Sequence, residues 1–132
     1  MSDATTLPIK ALYEGFAAGD IAAAVAGFHP EIVWNEAENL KYADGNPYVG
    51  ADAVIAGVFA RIGGEFDGFT ATPGDWISGE DRVAVLGRYG GRHKTTGKAL
   101  DAAFVHVFTV ANGQITAFEQ HTDTAQWRAV AG

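Results

Sequence analysis

The stretch Leu100–Asp123 (LDAAFVHVFTV-ANG-QITAFEQHTD) constrains the fold more than any other. Two runs rich in β-branched and aromatic residues flank Ala111-Asn112-Gly113. Asn and Gly both tolerate positive φ, so the stretch reads as a β-hairpin. Its register decides which side chains share a face. A two-residue Asn112-Gly113 turn pairs His106 with Glu119. A three-residue loop pairs His106 with Phe118. Slipping by one residue exchanges the faces. The three-residue loop is preferred, because it sets Phe104, His106 and Phe108 beside Phe118 and Gln120. That face is aromatic with two polar groups, as a pocket lining should be. The other face then carries Val105, Val107, Ala117, Glu119 and His121.

Upstream, Thr6 is positioned to cap a helix with Pro8 in its first turn. Ile9, Leu12, Tyr13 and Phe16 form one apolar stripe. Gly19-Asp20 stops that helix and caps a second, carrying Ile21, Ala24, Val25 and Phe28 and closed by Pro30. Glu31–Glu36 reads as a strand with Ile32, Trp34 and Glu36 on one face. The span 37–49 has turn chemistry throughout and no period. Its length and position after Glu36 suggest a mobile rim over a cavity mouth, with Tyr42 or Tyr48 at the opening. Gly50-Ala51-Asp52 opens a third helix, with Val54, Ile55, Val58, Phe59 and Ile62 as its stripe, ended by Gly63-Gly64. Long strands follow at Phe69–Ser78, bent at Pro73-Gly74, and at Arg82–Lys94, bent at Gly90-Gly91. Thr124–Val130 is a terminal helix. Helices early and antiparallel strands late make an α+β pattern. A curved sheet around the helices would enclose a cone-shaped cavity.

The 132 residues suit one domain, 1–132. The net charge of −7 and the lack of a basic patch exclude nucleic acid as an expected partner. No apolar run approaches the roughly 20 residues that span a bilayer. With no basic leader segment, a soluble cytoplasmic protein is the default. The chain has no cysteine. Its histidines, at 29, 93, 106 and 121, lack ligand spacing, so no metal is expected. Ser2 and Ser78 have no nucleophile-elbow context. The glycines form neither a dinucleotide fingerprint nor a phosphate loop, so no cofactor is expected.

Four features in order span nearly the whole chain. They are Ala17-Ala18-Gly19-Asp20, Tyr48-Val49-Gly50-Ala51-Asp52-Ala53-Val54, Gly79-Glu80-Asp81-Arg82-Val83-Ala84-Val85, and Asn112-Gly113-Gln114-Ile115 leading to His121-Thr122-Asp123-Thr124-Ala125. With this element order the chain resembles the nuclear transport factor 2-like superfamily, in its SnoaL-like and ketosteroid-isomerase-like branch. The resemblance implies a cone-shaped, cystatin-like α+β barrel, with a curved antiparallel sheet wrapped around the N-terminal helices. It implies an acidic base at the end of the first strand, where Glu36 stands. It implies a donor on the first strand of the last hairpin, where His106 replaces a carboxyl group. It implies a tyrosine in helix one, near Tyr13, and an aspartate near the end of the last strand, resembled by Asp123. Epoxide hydrolase chemistry is not expected. Arg82 matches its arginine, but Ala84 and Gln120 stand where its carboxylates belong.

The candidate catalytic residues are thus Glu36, His106 and Asp123. Asp123-Thr124-Ala125-Gln126 reads equally as a helix cap. The candidate substrate-binding residues are Tyr13, Trp34, Tyr48, Phe59, Phe104, Phe108, Phe118 and Gln120. Two functions compete. One is a cofactor-independent isomerase, cyclase or dehydratase moving a proton on an apolar carbonyl compound. The other is a non-catalytic ligand-binding or interaction module. A catalyst needs a cone residue that titrates near working pH. The outer face with Val105, Val107 and Ala117 predicts a homodimer through the sheet. Replacing His106 by Phe should change stability little or raise it, since an apolar ring of similar volume replaces a buried polar group.

Overall fold

The computed structural model describes residues 3–132. Helix α1 (Asp3–Ala18) begins upstream of Thr6, so Thr6 lies inside it rather than capping it. Asp20 caps α2 (Ile21–Val25) by accepting from the Ala23 amide at 3.0 Å, as expected. Strand β1 (Phe28–Asn35) starts before Pro30. The expected longer second helix is cut short because Phe28 pairs with Ile115 in the sheet. A 3-10 helix (Lys41–Gly45) and the short strand β2 (Tyr48–Val49) follow. Next come α3 (Ala51–Val54), a π-helical segment (Ile55–Phe59) and α4 (Ala60–Glu65). Strands β3 (Phe66–Ser78), β4 (Arg82–His93), β5 (Ala99–Ala111) and β6 (Gln114–Thr122) precede α5 (Thr124–Ala131).

The six strands form one sheet in the order β2-β1-β6-β5-β4-β3. The α+β cone is as expected, with one amendment. The sheet is mixed and open, because β1 runs parallel to β6 while every other pair is antiparallel. A parallel neighbour needs a long crossover, and everything from β2 to β5 lies between these two strands.

The hairpin reaches the expected faces by an unexpected route. Its turn has two residues, with Ala111 paired to Gln114. Asn112 and Gly113 both have positive φ (52° and 76°), which matches the right-handed twist of the strands. That turn alone would set His106 against Glu119. A bulge at Thr116 adds one residue between the Val110–Ile115 and Thr109–Ala117 pairs. His106 therefore pairs with Gln120, and Phe108 with Phe118. Neither of the two registers weighed from sequence occurs, yet the face carrying Phe104, His106, Phe108, Phe118 and Gln120 is the buried one.

One core cluster fills the space between this face and the helices. Gly87 matters locally: a Cβ there would lie 2.4 Å from the Phe104 ring. Its absence lets Phe104 lie flat beneath His106, ring centroids 3.9 Å apart and planes within 11°.

Candidate active site

An apolar chamber opens between α1, the π-helical segment and the inner sheet face. Tyr13, Phe16, Trp34, Phe59, Phe69 and Phe118 supply most of its aromatic wall, and Glu36, Tyr89, His106 and Gln120 its polar groups. Among the expected residues, Tyr13, Trp34, Glu36, Phe59, His106, Phe118 and Gln120 all meet here. Phe104 and Phe108 do not line it; they pack behind His106. Tyr48 does not line it either. Its ring fills the space left by Gly57, and its hydroxyl donates to the Tyr42 carbonyl at 2.7 Å.

Glu36 follows β1 and is only 4 % exposed. Alternation from Ile32 and Trp34 turns it inward. The Trp34 indole N–H donates to its Oε2 at 2.9 Å, while Oε1 is buried with no hydrogen-bond partner among the described residues. Burial pushes its pKa up to about 7, partly opposed by the indole bond. Asn46 fixes the backbone. Its side chain accepts from the Glu36 amide at 2.9 Å and donates to the Glu36 carbonyl at 2.8 Å.

That clamp corrects the expectation of a mobile rim at 37–49. Tyr42 and Tyr48 are both buried, and neither stands at the opening. Tyr42 donates to Glu65 at 2.5 Å, and Arg61 forks onto Asp44 at 2.8 and 3.0 Å. These bonds tie the span to α4. It serves to hold Glu36 in place. Ala37, Glu38 and Asn46 also form part of a polar basin outside the chamber, and Glu36 and Gln120 belong to both spaces.

His106 sits opposite in character. The Tyr13 hydroxyl lies 2.6 Å from Nδ1, and the Tyr89 hydroxyl is hydrogen-bonded to Nε2. Burial lowers its pKa to about 3, so the ring is neutral at ordinary pH. Gln120 donates from Nε2 to the Tyr89 hydroxyl at 2.8 Å and accepts on Oε1 from the Ala37 amide at 3.0 Å. Both phenols are held protonated, their pKa values raised by burial. With both nitrogens occupied, His106 has no direct bond left to offer a ligand. The hydroxyls beside the chamber are those of Tyr13 and Tyr89, each bonded to one His106 nitrogen.

Tyr89 escaped the sequence reading, which saw only the glycine pair after it. Inward alternation along β4, through the buried Val83, Val85 and Tyr89, was the available signal. The structure does not bring Asp123 to the chamber. It is the N-cap of α5 and accepts from the Gln126 amide at 3.3 Å.

The SnoaL-like domain model matches residues 9–118. The chain belongs to the SnoaL-like domain family. An NTF2-like protein from Burkholderia thailandensis is 32% identical, covers 97% of each chain and superposes with a TM-score of 0.91. TerC, co-crystallised with polyporic acid, is 27% identical over 96% of this chain and 97% of its own, with a TM-score of 0.86. A protein from Catenulispora acidiphila with a ketosteroid isomerase-like fold, in complex with trimethylamine, shares the fold at 17% identity. It has a TM-score of 0.80 and covers 97% of this chain and 94% of its own. No protein of curated function matches the sequence. Among the described residues, no helix of this SnoaL-like chain is long and apolar enough to cross a membrane.

Proposed function

We propose that this SnoaL-like protein is an enzyme that moves a proton on an apolar carbonyl compound without a cofactor, of isomerase, cyclase or dehydratase type. The observation that carries the reading is Glu36: a buried carboxyl facing an apolar chamber, with one oxygen unpartnered and a pKa near 7. At neutral pH about half of such groups are ionised, which suits a general base. The Glu36 carboxylate removes a proton from the carbon next to the carbonyl. The C–H electron pair passes into the carbonyl as an enolate. A tyrosine O–H stabilises the developing oxyanion, and the acid form of Glu36 returns the proton to carbon. The aromatic walls hold the apolar body and exclude water, which strengthens both interactions. The binding-module alternative lacks a use for a group that titrates at neutral pH. The polyporic acid in TerC supports a small organic ligand of this kind.

Deuterium uptake at the α-carbon of a panel of apolar cyclic ketones tests the proposal directly. Exchange should be accelerated by the protein and fall on the order of 100- to 10,000-fold in Glu36→Gln. Ketones that bind but exchange no faster than in buffer would make the protein a binding module.

The same reading includes a homodimer through the outer sheet face. Val105, Val107 and Ala117 are partly covered there, and Val33, Leu86 and Ile77 extend the patch at 38%, 36% and 61% exposure. Pairing across the sheet sets Val33 beside Ala117, Leu86 beside Val105, and Ile77 beside Ala84, which faces Val107. An exposed apolar patch of this kind, bordered on β6 by Glu119 and His121, favours a second copy as its cover. Sedimentation should show twice the mass of one chain; a single-chain mass would refute it.

A further inference from the structure

The groups around His106 form a chain whose direction can be read from one fixed donor. A backbone amide can only donate. The Ala37 N–H therefore requires that the Gln120 atom it meets is the carbonyl oxygen, which sets the amide nitrogen toward Tyr89. The Tyr89 oxygen thus accepts from Gln120. Its single proton remains to be placed, and His106 Nε2 is its other partner. A neutral imidazole carries one N–H and one acceptor nitrogen, so two arrangements exist.

In the first, Tyr89 donates to Nε2, Nδ1–H donates to Tyr13, and the Tyr13 proton has no protein acceptor among the described residues. Every bond then points the same way, from Ala37 through Gln120, Tyr89 and His106 to Tyr13. In the second, Tyr13 donates to Nδ1 and Nε2–H donates to Tyr89. Two donors then converge on the Tyr89 oxygen, and its own proton has no acceptor among the described residues. Aligned chains polarise each bond in turn, and converging ones do not. A hydroxyl that already accepts a bond is the better donor, which favours the first arrangement.

We propose that Gln120 is a positioning residue that sets the direction of this chain, holding His106 as the Nδ1–H tautomer so that Tyr13 is the phenol that offers its O–H to the chamber. The inference deepens the reading of the chamber as a proton-transfer site and rests on it for the role of Tyr13. The tautomer itself does not depend on catalysis. Gln120, like the Ala37 amide that orients it, then acts on the reaction through His106 rather than by touching the carbonyl.

Nitrogen-15 NMR of the ligand-free protein, labelled on histidine, reads the tautomer. The His106→Phe spectrum assigns the signals. In the unsubstituted protein Nδ1 should carry the proton and Nε2 should resonate as an unprotonated nitrogen. The opposite pattern would overturn the proposal by itself and make Tyr89 the presented donor. In Gln120→Met the bias is gone, so Nε2 should move toward the protonated range; an unchanged spectrum in that folded variant would also overturn it. Failure of the wider functional reading looks different. Ketones would show no accelerated exchange while the Nδ1–H tautomer was still observed.

Discussion

Glu36 and His106 both line one chamber, and burial moves them in opposite directions. Both are almost wholly buried, at 4% and 6% exposure. Removing water penalises the charged form, so the carboxyl rises from 4.5 to about 7 and the imidazole falls from 6.5 to about 3. Their partners differ as sharply. Both nitrogens of His106 are held by tyrosine hydroxyls, whereas one oxygen of Glu36 has no hydrogen-bond partner among the described residues. The saturated group is scaffold for its neighbours, and the unsaturated one is where a reactant can bind. Glu36 also reaches the outer polar basin.

The sharpest way to break the comparison is Glu36→Gln. It keeps the shape and removes the titrating group, so ketone exchange should fall on the order of 1,000-fold with binding retained. Isothermal titration alongside the exchange assay separates the two effects. A variant that still exchanges normally would move the base elsewhere.

The two groups should also bend the stability curve in opposite senses. Between pH 4.5 and 7 the folded protein keeps a proton on Glu36 that the unfolded chain has lost, so stability falls as pH rises through this window. The difference amounts to about 3 kcal/mol once pH exceeds 7. Between pH 3 and 6.5 the unfolded chain binds a proton on His106 that the folded protein refuses, so stability falls as pH drops. The slopes nearly cancel between 4.5 and 6.5. Urea melts across pH should therefore show a plateau there. Glu36→Gln should convert the plateau into a rise with pH. An unchanged plateau would show that Glu36 titrates as an ordinary carboxyl.

His106→Phe sharpens the same contrast. The sequence alone suggested a nearly neutral substitution, on the view that an apolar ring would replace an unpartnered imidazole. The two tyrosine bonds reverse that expectation. Tyr13 loses its one protein partner among the described residues, and Tyr89 keeps only Gln120. Unfolding free energy should drop by about 2 kcal/mol. Adding Tyr13→Phe should recover part of the loss, because it removes the orphaned hydroxyl. No recovery would mean that strain, not an unpaired phenol, destabilises the single variant.

Much of the cone was legible because periodicity carries it. The stripe Ile9, Leu12, Tyr13 and the alternation Ile32, Trp34, Glu36 both point inward as the spacing requires. The parallel β1–β6 pairing was not legible, since no local signal joins strands separated by most of the chain. The hairpin shows a subtler limit. Turn chemistry favoured Asn112-Gly113, and pocket composition favoured the opposite face. The structure satisfies both with a bulge at Thr116 that neither consideration names. Within the site, Glu36 and His106 were found by face and by resemblance. The bonds that link His106, Tyr13, Tyr89 and Gln120 join four separate elements, so only the folded chain displays them. Tyr48 was misplaced because an aromatic at a loop end reads alike whether it faces a cavity or fills one.

The smallest expected effect concerns Asp123, which the family resemblance set beside Glu36 and His106 and the fold sets apart. If those two residues are the ionisable equipment of the chamber, Asp123 should matter to α5 alone. It accepts from the Gln126 amide, and its backbone carbonyl accepts from the Gln126 and Trp127 amides. Asp123→Ala removes the side-chain bond and should lower stability by about 1 kcal/mol, while Asp123→Asn, itself a good cap, should lower it less. Trp127 gives this cap a reach into the core, since it is buried and packs on Phe66 and Tyr89. A frayed α5 would loosen the back of Tyr89 without removing any group from the chamber. Ketone exchange per folded molecule should therefore stay within about twofold of the unsubstituted protein, the scale of a change that leaves transition-state contacts intact. A large loss of exchange in both variants, at unchanged stability, would return Asp123 to the reacting centre and make the carboxyl count of the site two rather than one.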